Sequence, residues 1–350
     1  MKFTLSWLRD HLDTDATLDQ ISDALTALGL EVEGITDRAS ELAGFIVGHI
    51  VEAGKHPDAD RLQVCKVDTG STMIQVVCGA PNARAGLKVI LAQPGVVIPV
   101  TGEALKKGAV RGVESQGMMC SYRELGLGED HDGIAELAAD APVGTSIAKI
   151  LSFDPVIEIA ITPNRADCLG VRGVARDLAA KGLGVLKPMP IPAIAGAFPG
   201  PHGLHIDDTS ACPMFVGRVI RGVKNGPSPD WLQDRLTAIG LRPISALVDI
   251  TNLVSFDLAR PLHVFDAAKV TGAIHARLAK GGETLAGLGG KDITLDPSMI
   301  VIADDSGPVS LAGILGGEAT GCTPETADVF LEVALFDPIR IATTGRKLEL

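Results

Sequence analysis

Two helical stretches, each too small to bury a core alone, stand on either side of a long β-rich region, and this arrangement constrains the chain most. In the first, Leu18, Ile21, Leu25 and Leu28 recur at helical spacing, Thr17 and Gln20 form a capping box before them, and Gly29 ends the run. Leu5, Leu8 and Leu12 predict a shorter helix on the same core. The second stretch opens near Asn164, puts Leu169, Val174 and Leu178 on one face, and ends at Gly182. Between them, segments 45–52, 62–68, 73–77, 88–91 and 96–100 read as short strands parted by turn residues such as Gly79, Pro81, Asn82, Pro94 and Gly95. Strands so spaced predict a small closed barrel or sandwich. The helical pieces need one another, so the barrel is expected as an insertion between them.

Pro188, Pro190, Pro192, Pro199 and Pro201 then mark a linker. After it, 215–219 alternates as a strand, Ser228-Pro229 reads as an N-cap followed by a first-turn proline, and Gly240 closes that helix. Leu247, Ile250, Val254 and Leu258 predict a buried helix face. Beyond Gly272, strands are expected at 293–295, 300–303, 309–312 and 329–333. The end, 345–350, carries no capping or turn signal and reads as a fragment whose last domain is cut.

With 350 residues, 46% apolar, the chain has material for two or three folded domains. No apolar run approaches the ~20 residues of a membrane helix. Arg9 and Asp10 stand where a signal peptide is apolar, so the expected location is the cytoplasm. The six cysteines show no CxxC pairing and read as buried small hydrophobes, with no zinc site or disulfide framework expected. A net charge of −12 argues against a general nucleic-acid coat and for any polyanion meeting a local basic patch. Nine Phe, two Trp and one Tyr leave little for base stacking, so RNA would be held by shape and phosphate contact.

The glycine-rich Gly313-Ile314-Leu315-Gly316-Gly317 lacks the order of a dinucleotide loop, and no GxxxxGK[ST] occurs. His56, Asp58 and Asp60, in a proline turn, are too few for a metal site and read as a solvated turn. Lys106, Lys107 and Arg111, with Arg84 and Lys88, are the best basic cluster, as a phosphate contact or a solvated face. His263, near Thr251-Asn252, is either a satisfied core histidine or a catalytic one. Glu332 interrupts the apolar Phe330-Leu331-Glu332-Val333-Ala334, where a buried carboxylate is costly unless paired; an alternating strand would instead turn it to water.

In chain order, MKFTLSWLRDHLD, GLEVEGI, HPDADRLQVCKVDTG, VVCGAPNARAG, ESQGMMCS, GLGEDHDGI, TPNRADCLGVRGVARDLAA, RPISALVDITN, RPLHVFD, LAGILGGE and FLEVALFDP resemble the β subunit of bacterial phenylalanyl-tRNA synthetase. The resemblance covers essentially the whole chain. It implies an α+β multidomain fold. A tRNA-binding OB-fold β-barrel (40–149) would be inserted in a small helical and mixed domain (1–39 plus 150–195). A mixed α/β editing domain (200–350), incomplete at its C-terminal end, would follow.

In the family the aminoacylation site sits on a separate α subunit of an α2β2 heterotetramer. ATP and Mg2+ belong to that whole enzyme, and no cofactor or metal ligand is implied among these residues. The motif positions lining the family's editing pocket fall on Arg242, Thr251, Asn252, His263, Ala312, Gly313, Gly316 and Glu332. His263, Asn252 and Glu332 take the catalytic roles and the others bind substrate. A Thr-Asp-Ala-Ser-like stretch beyond GRKL completes the family pocket, and this chain ends at Leu350 before it. The implied function is binding of tRNA(Phe) and hydrolytic editing of mischarged Tyr-tRNA(Phe), in support of ATP-dependent phenylalanylation. No DNA or membrane partner is implied. The alternative is a non-catalytic tRNA-binding or assembly scaffold.

Overall fold

The computed structural model describes residues 1–128, 130–151 and 153–350; Glu129 of the GLGEDHDGI motif lies outside them. Its helices are α1 (Leu5–His11), α2 (Leu18–Ala27), α3 (Arg38–Glu41), α4 (Val171–Ala180), α5 (Asp230–Ala238), α6 (Ala246–Leu258) and α7 (Pro338–Leu348). The chain separates into two compact units, Met1–Gly34 with Ile157–Leu350, and Ile35–Val156.

In the discontinuous unit the two helical stretches do share one core. Phe3, Trp7, Leu8, Ile21 and Leu25 pack with Ile157, Ile159, Val171, Val174 and Leu178. The capping box predicted for α2 is present: Gln20 N–H donates to Thr17 Oγ1 (3.3 Å) and Thr17 N–H to Gln20 Oε1 (2.9 Å). Strand Val156–Ile159 lies between Lys2–Thr4 and Val32–Thr36.

That core also takes in Ile239, Leu241, Leu253 and Phe256. The face expected to be buried on α6 is only partly so, with Ile250 48% exposed. Asp249 is the one residue of α6 that is buried. It accepts the Ser228 hydroxyl (2.5 Å) and the Ile244 N–H (2.9 Å). Ser228 is therefore not the cap of α5: Pro229 takes that position, and the serine is spent on Asp249.

Farther along, two sheets enclose a second core of Phe215, Phe265, Ile274, Ile300, Ile302 and Phe330. One sheet runs Leu204–Ile206, Ile274–Leu278, Ile300–Asp304, Gly307–Leu311, Leu315–Gly316. The other places Asp328–Leu335 between Met214–Arg221 and His263–Asp266. The chain then enters α7, whose first turn is capped by Asp337 accepting from Arg340 N–H (2.8 Å). Asp337-Pro338 is the cap signal that a sequence reading of this end passes over.

In the continuous unit the strand order is Met118–Met119, Lys88–Ala92, Ile46–His56, Ala59–Asp68, Met73–Cys78, with Glu136–Leu137 also paired to Lys88–Ala92. Alternate residues of Lys88–Ala92 feed opposite clusters: Val89 and Leu91 join Ile50, Val67 and Val76, while Ile90 and Ala92 join Phe45, Val47 and Leu125. The expected barrel is not closed among the described residues, because no ladder joins the two ends of this path. Single bonds span the gap, Gln116 N–H to Gln75 O (2.8 Å) and Val77 N–H to Ser115 Oγ (3.1 Å). Segment 96–100, expected as a strand, turns back on itself instead, through Val96 N–H to Gln93 O and Gly102 N–H to Ile98 O. It keeps one isolated bridge, Val97 to Ala104.

Candidate functional site

Strand register brings the first candidate cluster together. Glu332 pairs with His263 on one side and with Gly217 on the other, so the three form a row across the sheet. Cross-strand partners share a face, here the face toward Phe265 and Phe330. Glu332 is 5% exposed and its Oε2 has no hydrogen-bond partner; burial pushes its carboxyl up to about 7. His263 Nε2 is likewise buried without a partner, and burial pushes its imidazole down to about 4. The histidine is thus not a satisfied core residue, and the glutamate does not face water. Among the described residues, unpaired buried side-chain atoms occur only at these two residues and at the Thr320 hydroxyl. Such atoms cost free energy while unpaired and are available to a ligand.

Close approach shapes the surroundings. The His263 ring sits edge-on to Phe265, centroids 4.5 Å apart. Its other edge lies against Gly316, where an added Cβ would stand 2.8 Å from Nε2. Gly217, opposite Glu332, has no Cβ because the Phe330 ring occupies that space. Cys212, fully buried, is close enough to Glu332 to feel its charge, though burial is the main reason its thiol rises to about 11. Neither Gly217 nor Cys212 stands out in the sequence. A glycine inside the alternating strand Met214–Arg221 is the available signal.

The other expected pocket residues are placed less tightly. Ala312 is buried in the second core, and Gly313 takes φ +68 beside Phe336. Thr251 and Asn252 lie partly buried on α6, which packs along His263–Asp266. The Thr251 hydroxyl donates back to Val248 O (2.7 Å). Asn252 is not bonded to His263 Nε2 or Glu332 Oε2, since both are unpartnered. Arg242 is exposed.

The basic cluster sorts into unlike members. Arg84 donates twice to Glu136 (3.0 and 3.1 Å), and these bonds hold that carboxyl below its usual range. Lys88 lies within a strand, opposite His49 and Leu137. Lys106 and Lys107 are exposed just before a hairpin, Gly108–Val110 with Val113–Ser115. Its tip is Arg111-Gly112, both at positive φ (46° and 81°), the pattern of a two-residue type I′ turn. His56 holds this hairpin, its Nε2–H donating to Val110 O (3.1 Å) while Nδ1 accepts from Asp58 N–H (3.0 Å). Lys106 and the hairpin also border a groove of about 780 Å³ that continues past Ser121, Arg123 and His131.

One group of three donors among the described residues is close enough to share a cation: Asp167, Cys168 and Asp177. It does not fit that role. Arg165 and Arg176 already bond both carboxylates, and burial, with Asp177 adding, pushes the Cys168 thiol up to about 12. No helix among them is long and apolar enough to cross a membrane.

Comparison with known proteins joins these two regions. Residues 45–146 match the family model of a putative tRNA binding domain, and residues 211–350 that of a B3/4 domain. The phenylalanine–tRNA ligase beta subunit of Paramagnetospirillum magneticum is 69% identical over 100% of this chain and 44% of its own length. That of Rhodospirillum rubrum is 62% identical over 99% of this chain and 44% of its own. This chain belongs to the phenylalanine–tRNA ligase β-subunit family. It spans less than half the length of those two family members. A solved N-terminal fragment of the phenylalanyl-tRNA synthetase beta subunit from Pyrococcus horikoshii aligns with 53% of this chain and 57% of its own. At 16% identity and a TM-score of 0.33, that likeness carries no argument.

Proposed function

We propose that this chain binds tRNA(Phe) through the inserted unit, an OB-type module, and edits Tyr-tRNA(Phe) at the His263–Glu332 cluster of an editing domain. It would do so as part of a cytoplasmic α2β2 ligase whose α subunit, with ATP and Mg2+, forms phenylalanyl-tRNA. The observation that carries the editing reading is the row Gly217–Glu332–His263, with two buried polar atoms left unpaired.

The chemistry follows from that geometry. Phenylalanine and tyrosine differ by one hydroxyl, which an apolar pocket rejects by only about 10²-fold. A site that must pair a buried acceptor can discriminate by roughly 10⁴-fold or more. Glu332 Oε2 would accept the phenol O–H; a phenylalanine ring would leave it unpaired. Phe265 and Phe330, on the same face as Glu332, would flank a flat ring. His263, neutral at physiological pH because of its burial, would orient the attacking water, take up its proton as the new C–O bond forms, and return that proton to the ribose oxygen that leaves as the ester bond breaks. Asn252 and Thr251 would contribute from α6, polarising the ester carbonyl and holding the substrate, and Arg242 would serve the RNA side. Ala312 and Gly313, small residues, would leave room for the ring. Positioning carries the rate, since no strong nucleophile is assembled.

The test is deacylation of preformed Tyr-tRNA(Phe) and Phe-tRNA(Phe) by the full α/β enzyme carrying Glu332→Ala. The variant is expected to stay folded, because the carboxyl it removes is costly to bury and its Oε2 makes no hydrogen bond. It should hydrolyse both esters at similar rates. Unchanged selectivity would remove Glu332 from recognition.

A second reading, a non-catalytic tRNA-binding scaffold, draws on the exposed hairpin of Lys106, Lys107 and Arg111, which needs no hydrolysis to act. Changing all three to Glu should abolish low-salt tRNA binding by the inserted unit.

A further inference from the structure

The segment 162–180 takes no part in either proposed site, yet it carries three arginines. Two of them are compensated: Arg165 and Arg176 form a closed network with Asp167 and Asp177. Arg172 is different. It donates Nη1 and Nη2 to Lys187 O (3.2 Å each) and Nη1 also approaches His11 Nδ1 (3.4 Å), but it meets no carboxylate. Lys187 in turn donates Nζ to Arg9 O (2.7 Å), and the Arg9 guanidinium reaches, among the described residues, Ala16 O alone. Arg260 is exposed with no partner among the described residues. The nearby acids are already engaged, Asp10 by Arg235 and Asp257 by His11.

Arg172, Arg176, Leu186, Ala259 and Arg260 border a groove of about 410 Å³, together with Asp167, whose charge Arg165 and Arg176 already balance. A chain of net charge −12 thus keeps two cations without carboxylate partners, Arg172 and Arg260, in the lining of one groove, with Lys187 beside it through its carbonyl on Arg172. A helix C-terminus explains a cation at Arg9 or Arg260. It does not explain Arg172, which lies in the first turn of α4, where the helix partial charge is positive. The mount is rigid. Ala259 ends α6 at φ +52, and the backbone of Gly170 packs against it so closely that a Cβ there would collide with Ala259 N.

We infer that this groove is a second contact for the tRNA backbone, separate from the 108–115 hairpin of the inserted unit, with Arg172 and Arg260, and Lys187 beside them, facing phosphates. The inference rests on the tRNA-binding reading above. Phosphate rather than base is the target, because the groove lining offers guanidinium donors and no aromatic ring. Contact of this kind is independent of base sequence and falls with salt.

The test uses the whole 350-residue chain, an in vitro transcript of a phenylalanine tRNA, and filter binding across ~50–200 mM salt. Arg260→Glu and Lys187→Glu should each weaken binding about threefold or more near 0.1 M salt. Each should lower the slope of log affinity against log salt by about one. Arg260→Lys should bind like wild type, and melting temperatures should not move. Wild-type affinity and slope in both Glu variants would overturn the groove alone, provided the unaltered chain binds. No binding by the unaltered chain would overturn both this inference and the tRNA-binding reading.

Discussion

Burial moves Glu332 and His263 in opposite directions, since each is driven toward its neutral form. The consequences for stability oppose one another as well. With Glu332 near 7 in the fold and 4.5 when unfolded, the unfolded chain releases its proton first, so stability falls as pH rises from about 4.5 to about 7. With His263 near 4 in the fold and 6.5 when unfolded, stability falls as pH drops from about 6.5 to about 4. Between pH ~5 and ~8 the two contributions largely cancel in the wild type. Glu332→Gln should unmask the histidine: relative to wild type it gains stability by about 2 kcal/mol on going from pH ~5 to ~8. Denaturant titrations of both proteins across that range check this. A constant offset between them would mean that Glu332 is not buried in its neutral form. The sequence shows Glu332 as an acid intruding on an apolar run, but not Gly217 beside it, because register across strands is set by pairing partners far along the chain.

Among the elements, those defined by local signals are the ones a sequence reading places well. Thr17 and Gln20 cap α2 within a single turn, and Gly240, at φ +88, ends α5. Elements whose fate depends on remote surfaces are placed less well. The apolar α6 reads as buried, yet its cover is incomplete, and segment 96–100 has strand composition but no partner strand. The hairpin at 108–115 belongs to a third kind, a local turn with an unfavourable residue in it. Arg111 at φ +46 takes a conformation that costs a non-glycine residue about 1 kcal/mol, and type I′ turns favour Asn or Gly there. Such strain is consistent with a residue kept for its charge. Arg111→Gly should therefore leave thermal stability equal or slightly raised while tRNA affinity falls and its salt slope flattens by about one. Affinity that survives the change would assign Arg111 to the solvated surface.

At the scale of the whole molecule, the insertion was legible because α1 and α2 cannot bury Leu8, Ile21 and Leu25 without Val171, Val174 and Leu178 from far along the chain. Closure of the inserted sheet was not, since it depends on whether two edge strands meet after long loops. The geometry of the junction gives a direct test of the insertion. Ala160 N–H donates to Glu31 O (2.8 Å), and strands Val32–Thr36 and Val156–Ile159 are neighbours in one sheet. The chain therefore leaves at Thr36 and returns at Val156 on adjacent strands, so a short glycine linker can replace what lies between. Removing a long loop costs little closure entropy, and the core of Phe3, Trp7 and Ile157 contains no residue of the excised part. The shortened chain should unfold in one cooperative transition and keep the opposed pH dependence of Glu332 and His263. It should lose the share of tRNA affinity carried by Lys106, Lys107 and Arg111. A shortened chain without a cooperative transition would show that the discontinuous unit needs the inserted one to fold.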